Sequence, residues 1–271
     1  MPPADDDSSF SSSLYFAHLK SHTGTGSVLL HAEELGSTQT LVMETPEFDE
    51  TVVCVAEKQV QGRGRGENTW ESPLGCLMFS FRSSFPSQHG RMLPFFQYLV
   101  SLAAIRACRH ATQGYKDIHI KWPNDIYANR TLKIGGVLCQ SSFRDGQFIV
   151  TTGVGLNVAN ELPTTCLSSL AKQVVRREVV LAEFFNQFDH LYREFLLAGP
   201  SFEGLVPEYT SVWLHSGQRV SVDSNENTVT ITGISPQTAA LLAVDDAGRV
   251  VELTPDGNRL DFFKGLVSRR M

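Results

Sequence analysis

At 271 residues the chain exceeds one average compact domain, and domain-size statistics point to a large domain with a small companion. With 42% hydrophobic, 19% charged and 10% aromatic residues it has the composition of a soluble globular protein, which excludes the disordered and fibrous classes. A formal net charge of -6 argues against sequence-independent binding of nucleic acid, which needs a surplus of lysine and arginine to displace counterions from phosphates.

The first 13 residues, rich in Asp and Ser, form neither the apolar run of a secretory signal nor an arginine-rich transit peptide. A tail over 1–26, partly disordered, is expected. Segment 27–33 (SVLLHAE) reads as a strand, and Ser37-Thr38 supplies hydroxyls that cap a short helix running to Pro46. A second strand at 51–57 leads into the glycine-rich stretch 59–66, and 76–83 (CLMFSFRS) reads as a buried strand. Apolar residues at helical spacing predict a helix over 91–112. Its apolar part, 92–107, is broken by Gln97, Ser101 and Arg106, and no segment supplies the roughly 18 unbroken apolar residues of a membrane span.

Strands are then expected at 118–122, 133–143 and 147–158, the last two joined by a tight Arg144-Asp145-Gly146 turn. Segment 178–198 carries Leu181, Phe184, Phe185, Phe188, Leu191, Tyr192 and Phe195 on one stripe, an amphipathic helix that covers the sheet. From about 215 four short alternating strands suggest an SH3-type barrel, other small β folds staying open. The division is a tail over 1–26, a catalytic domain over 27–212 and a small domain over 213–271. Five cysteines, odd in number and never in CxxC, indicate neither a disulfide framework nor a zinc site, so a reducing, cytoplasmic setting and no resident metal are expected.

Four stretches carry chemistry. In Gln59-Val60-Gln61-Gly62-Arg63-Gly64-Arg65-Gly66, alternate glycines bring backbone N–H groups close to an anion while two arginines add forked donors. The spacing is neither a P-loop nor GxGxxG, and Gly-Arg repeats also serve in surface loops. In Lys121-Trp122-Pro123-Asn124-Asp125, proline ends a strand and presents Asn124 and Asp125 at the sheet edge; a plain turn is the commoner use of such residues. Lys133-Ile134-Gly135-Gly136 and Gly153-Val154-Gly155-Leu156-Asn157 put glycines inside strong strands, where they mark a bulge or a close approach to the backbone. Together the four describe a pocket floor bare of side chains, bordered by cations.

These residues resemble the biotin protein ligases, including the eukaryotic holocarboxylase synthetases. The resemblance rests on GRGRGENTWESPLGC at 62–76, KWPNDIY at 121–127, KIGGVL at 133–138 and GVGLN at 153–157, in that order, with Ser37-Thr38-Gln39 matching the family's short Ser-Thr-Asn/Gln motif. WLHSGQRV and DGNRLDFFKGLV are similar to the plant enzymes in particular. The resemblance implies an α+β fold, a mixed β-sheet backed by helices like class II synthetases, followed by the SH3-like barrel. It implies that biotin and MgATP form biotinyl-5′-AMP and pyrophosphate, and that a lysine of an apo-biotin carboxyl carrier domain of a biotin-dependent carboxylase then takes the biotinyl group.

Carried over by motif, Ser37, Thr38, Gln39 and Gln59 bind the ureido and flanking groups, while Gly62, Gly64, Gly135, Gly136, Gly153 and Gly155 lend backbone. Arg63, Arg65 and Lys133 serve both biotin and the adenylate; Trp70 packs on adenine, Asn157 hydrogen-bonds it, and Asn124 positions phosphate. Arg65, Lys121, Lys133 and Asp125 are the catalytic candidates, Asp125 orienting or deprotonating the incoming lysine. Only about 25 residues precede the first strand, so neither the winged helix of repressor-type members nor operator binding is expected. No membrane partner is expected, and a monomer or homodimer is. The alternatives are a lipoate protein ligase, which shares the adenylate chemistry, and a non-catalytic biotin- or nucleotide-sensing module.

Overall fold

The computed structural model describes residues 9–66, 68–160, 163–197, 199–222, 227–254, 258–261 and 266–269. Strand β1 (Val28–Leu35) pairs in parallel with β2 (Val52–Gln59), the crossover between them carrying helix α2 (Thr38–Glu44). From there the sheet is antiparallel. Strands β3 (Cys76–Pro86), β4 (Ile118–Lys121), β5 (Asp125–Ala128), β6 (Leu132–Arg144) and β7 (Gln147–Asn157) complete the order β1-β2-β3-β7-β6-β5-β4. The Arg144–Gly146 turn joins β6 to β7 as expected, with Asp145 at φ 51 and Gly146 at φ 82.

One face of this sheet is sealed by α3 (Phe96–Ala111) and α5 (Arg177–Leu197). Phe79 and Phe81 of β3 meet Phe184 and Phe185 of α5 with ring centroids 4.9 to 5.9 Å apart, mostly edge to face, the geometry the ring quadrupole favours. The stripe of Leu181, Phe184, Phe185, Phe188, Leu191 and Phe195 is buried, so the predicted amphipathic helix points the way its spacing requires.

The structure corrects several expectations. The helix predicted over 91–112 begins only at Phe96, because Pro94 lacks the N–H an α-helix needs and Ser87–Phe95 winds as 3-10 turns. Strand β5 is not among the expected strands. Within the tail expected over 1–26, Ser12–His18 forms helix α1, capped by the Ser11 hydroxyl. Tyr15 is fully buried against α5 and its hydroxyl donates to the Gly26 carbonyl at 2.7 Å. The Phe10 N–H donates to Glu57, whose carboxylate also pairs with the buried Arg177 at 2.5 Å. Two short helices, α4 (Leu167–Ala171) and α6 (Val206–Ser211), were not anticipated.

A second sheet follows, formed by β8 (Arg219–Val222), β9 (Asn227–Ile234), β10 (Leu241–Asp245), β11 (Val250–Leu253), β12 (Asn258–Asp261) and β13 (Leu266–Arg269). Its order is β11-β10-β9-β8-β13-β12, antiparallel except where β13 meets β8, and it corresponds to the SH3-like domain. Six strands stand where four were expected. The two sheets join at β4, where Ile120 donates to the Val212 carbonyl at 2.8 Å and accepts from Leu214 at 3.0 Å.

Candidate active site

A cavity of about 540 Å³ opens on the face of the large sheet away from α3 and α5. Its floor is β6 and β7, where Gly136 lies opposite Gly155 and Leu138 opposite Gly153. What a side chain would meet there explains the glycines. A Cβ at Gly155 would stand 2.7 Å from the Trp70 indole, and one at Gly153 would stand 2.5 Å from Gln39 Oε1. Gly136 has room, with nothing closer than 3.6 Å.

Helix α2 supplies the polar wall. Ser37 caps it, accepting from the Thr40 N–H, and Thr38 donates to Gln59 Oε1 from its N–H at 2.7 Å and its hydroxyl at 3.0 Å. Gln39 is 3% exposed, and its amide nitrogen faces the Thr151 carbonyl, Gln140 Oε1 and the Leu138 carbonyl at 3.2 to 3.5 Å. That fixes the amide orientation and leaves Gln39 Oε1 buried without a partner. A buried acceptor of this kind costs about 1–3 kcal/mol unless something donates to it. A ligand N–H fits that need.

The glycine-arginine stretch closes the cavity as a small hairpin. Arg63 bridges Thr69, Gly64 donates to the Asn68 carbonyl at 2.8 Å and Trp70 to the Gly62 carbonyl at 2.9 Å. A Cβ at Gly62 would lie 2.3 Å from the Trp70 carbonyl, so only glycine lets the two limbs meet. Arg63, Gly64 and Arg65 line the cavity, and the Asn68 amide braces the Arg65 carbonyl at 2.9 Å. The Trp70 ring covers Gly155, with its Nε1 buried and unpartnered, and the Lys133 ammonium stands 5.7 Å from the ring centroid.

Opposite the hairpin sits the charged edge. The β4–β5 turn is pinned to β6 by Asn124, whose amide donates to the Val137 carbonyl at 3.0 Å while its own carbonyl accepts from the Val137 N–H at 2.8 Å. This presents Asp125 between two ammonium groups, Lys133 at 2.8 Å and Lys121 at 4.0 Å. Lys133 is 40% exposed, so the pair contributes about 0–1 kcal/mol to stability; its value is in placing charge. The described residues lining the cavity thus offer four cations, Arg63, Arg65, Lys121 and Lys133, against one carboxylate.

Three expected site residues lie elsewhere. Gly135 faces the other side of the sheet, where a Cβ would meet Leu156 at 2.5 Å, and Gly62 serves the hairpin's own backbone. Asn157 is 3% exposed and outside the cavity lining; its amide donates to Thr164 Oγ1 and the Thr165 carbonyl, and its oxygen accepts from the Cys76 thiol. Thr164 in turn donates to the Lys133 carbonyl at 2.7 Å, so Asn157 steadies the strand that carries Lys133. Sequence reasoning missed the residues that hold the binding side chains: Ser80 on Thr38, Ser72 on Gln59 and Gln140 on Gln39. The serine inside CLMFSFRS, a polar residue in an apolar run, was the available signal for Ser80.

A seven-stranded mixed sheet with a glycine floor and a cationic rim defines the class, and residues 32–157 match the model of the Biotin/lipoate A/B protein ligase family. The relatives narrow it. Biotin–protein ligase 2 of Arabidopsis thaliana is 44% identical, over 98% of this chain and 84% of its own length. The human biotin–protein ligase is 35% identical over 89% of this chain and 35% of its own. Among solved structures, the Aquifex aeolicus biotin protein ligase in complex with biotin and ATP superposes with a TM-score of 0.68 at 25% identity, covering 83% of this chain and 95% of that one. The chain belongs to the biotin protein ligase family.

Proposed function

We propose that this enzyme activates biotin with ATP to biotinyl-5′-AMP and transfers the biotinyl group to a lysine of an apo-carrier domain of a biotin-dependent carboxylase. In the first step a biotin carboxylate oxygen bonds to the α-phosphorus as the bond to the β-phosphate oxygen breaks, releasing pyrophosphate. Both reactants are anions, so fixed cations must offset their repulsion in the transition state. Arg65, Lys121 and Lys133 do this, with Arg63 beside them. In the second step the lysine amine attacks the acyl carbonyl and AMP departs.

The single observation that carries the choice of biotin is the orphaned, buried Gln39 Oε1 in the cavity lining, next in sequence to the Thr38 that pairs with Gln59. A ureido ring brings N–H donors to such a site, whereas a dithiolane brings none, which sets the lipoate reading aside. Gly136, Gly153 and Gly155 form the floor, Trp70 packs against the adenine, and Asn124 holds Asp125 toward the phosphates and the incoming lysine. Among the described residues the cavity lining holds one carboxylate, Asp125, already bonded to Lys133, a donor set that does not suit a resident metal; Mg2+ enters with the ATP phosphates.

The chain divides functionally at 212/213. Five unpaired cysteines support a reducing cytoplasmic setting, tested by cell fractionation. Incubation with labelled biotin, ATP and an apo-carrier domain should label one carrier lysine and release pyrophosphate only when biotin is present. Labelling of a lipoyl carrier instead, or no pyrophosphate, overturns the reading.

A further inference from the structure

The turn that presents Asp125 is tied to the small C-terminal sheet through one residue, Trp122. Beyond the Ile120 bonds, the N–H of Trp122, the residue just past β4, does not find a carbonyl; it donates to Nε2 of His215 at 2.9 Å. A backbone N–H can only donate, so Nε2 carries no hydrogen and Nδ1 does, donating to Gln218 Oε1 at 3.0 Å. The indole of Trp122 makes a second link: its Nε1 donates to the Tyr98 hydroxyl at 2.6 Å, which donates to the Ala239 carbonyl at 2.6 Å. His215 is fully buried and Trp122 is 2% exposed.

We infer that His215 is a positioning residue for the adenylation step: its neutral imidazole, reaching from the start of the C-terminal domain, fixes the Trp122 backbone and thereby the flanking Lys121 and Asp125. The residues on either side of that peptide are the cavity's charged edge. Lys121 is directly joined to Trp122, and Asp125 pairs with Lys121 across the β4–β5 hairpin. Remove the acceptor, and the Trp122 N–H is left buried without that partner, and the backbone of the turn loses its bond to the C-terminal side. The turn then shifts or loosens. The biotin-binding side of the cavity, on α2 and β7, touches none of this. A neutral ring is needed for a second reason: the charged group facing it is Lys121, and an imidazolium there would repel the ammonium as well as lose the hydrogen bond. Burial and the Lys121 charge hold the His215 ring down to about 4, so it stays neutral near pH 7.

This inference rests on the proposed role of Lys121 and Asp125, and the experiment separates the two. Biotin-dependent pyrophosphate release is measured on the full chain for His215→Leu, His215→Gln, Gln218→Leu and Lys121→Met, with biotin affinity by calorimetry. His215→Leu should lose roughly 10- to 100-fold in kcat with biotin affinity unchanged, as a displaced catalytic edge does. His215→Gln, which restores a neutral acceptor, should regain most of it. Gln218→Leu, which unfixes the tautomer, should give a smaller kcat loss, and it decides the case should His215→Leu fail to fold. Unchanged kcat in a folded His215→Leu, equal losses in kcat and biotin affinity, or, where His215→Leu does not fold, unchanged kcat in Gln218→Leu, overturns the inference. A fully active Lys121→Met overturns the underlying role instead.

Discussion

Gly153→Ala tests the biotin end of the cavity with a single methyl group. The new Cβ would stand 2.5 Å from Gln39 Oε1 and 3.3 Å from both Gln39 Cδ and Ser80 Oγ, so something must move. The amide cannot swing aside freely, because its nitrogen is held by the Thr151 and Leu138 carbonyls and Gln140. Displacing it breaks those bonds and removes the acceptor meant for the ligand. Overpacking of a tight site costs about 1–3 kcal/mol of stability. Loss of one neutral hydrogen bond to the ligand costs about 0.5–1.5 kcal/mol, more where a buried partner is left orphaned, and each 1.4 kcal/mol is about tenfold in affinity. The expected result is a biotin Kd raised about tenfold or more, with kcat at saturating biotin changed far less, since the cationic edge is untouched. Calorimetric titration of biotin and a biotin series of pyrophosphate release measure the two. Gly136→Ala, where the new methyl meets nothing nearer than 3.6 Å, is the stability control and should melt within a few degrees of wild type. Wild-type biotin affinity in Gly153→Ala would refute the reasoning about Gln39.

Other consequences follow from the same contacts. Lys133→Ala removes the cation that bonds Asp125 and stands over Trp70, and a folded variant should release no biotin-dependent pyrophosphate above background. Arg65→Gly should keep the melting temperature of the parent yet release biotinyl-5′-AMP faster, because a charge-assisted contact to phosphate is lost; an unchanged off-rate in a filter-binding chase counts against it. Stability should fall with acid as His215 dictates. Its folded value of about 4 lies below the unfolded 6.5, so the unfolded chain takes up the proton first and stability declines as pH drops through that window. By pH 5 this one group should have removed about 2 kcal/mol, and urea titrations of wild type and His215→Gln at pH 7.5 and 5 should differ by that amount.

What the sequence made legible is whatever has a period or a required glycine. The α5 stripe, the β6–β7 hairpin and the cavity's glycines at 136, 153 and 155 all follow from one-dimensional pattern. What it hid depends on direction and length. Strand β5 is four residues long, carries a register shift between Ile126 and Tyr127, and follows Pro-Asn, so its two strand formers, Ile126 and Tyr127, are too few to stand out beside the turn residues. Helix α1 packs on α5, far along the chain, where Glu178 accepts from the Ser11 N–H, so no local pattern announces it. Asn157 shares the parity of Gly153 and Gly155, and its match to the family motif assigned it to the ligand. It lies past the rim, where the 164–165 segment satisfies its amide; no periodicity reports where a pocket ends.

Asp125 poses the last question, because a carboxylate is out of place in a cavity built for anions. Two ammonium groups this close would repel each other, and Asp125 holds both, bonded to Lys133 at 2.8 Å and near Lys121 at 4.0 Å. An arriving phosphate competes for the same lysines. In the proposed reaction, once they turn to it, Asp125 gives up its partners as the adenylate is completed, which would make it an acceptor for the amine of the carrier lysine. The exchange gives one carboxylate two successive tasks and predicts unequal effects of Asp125→Asn, which keeps the shape and removes the charge. Pyrophosphate release should fall only a few-fold, since the lysines then answer to the phosphate alone. Transfer from preformed biotinyl-5′-AMP to an apo-carrier should fall roughly 100-fold, the scale of a lost general base. Rapid-quench measurement of the two half-reactions decides it: equal losses would leave Asp125 as a holder of lysines and nothing more.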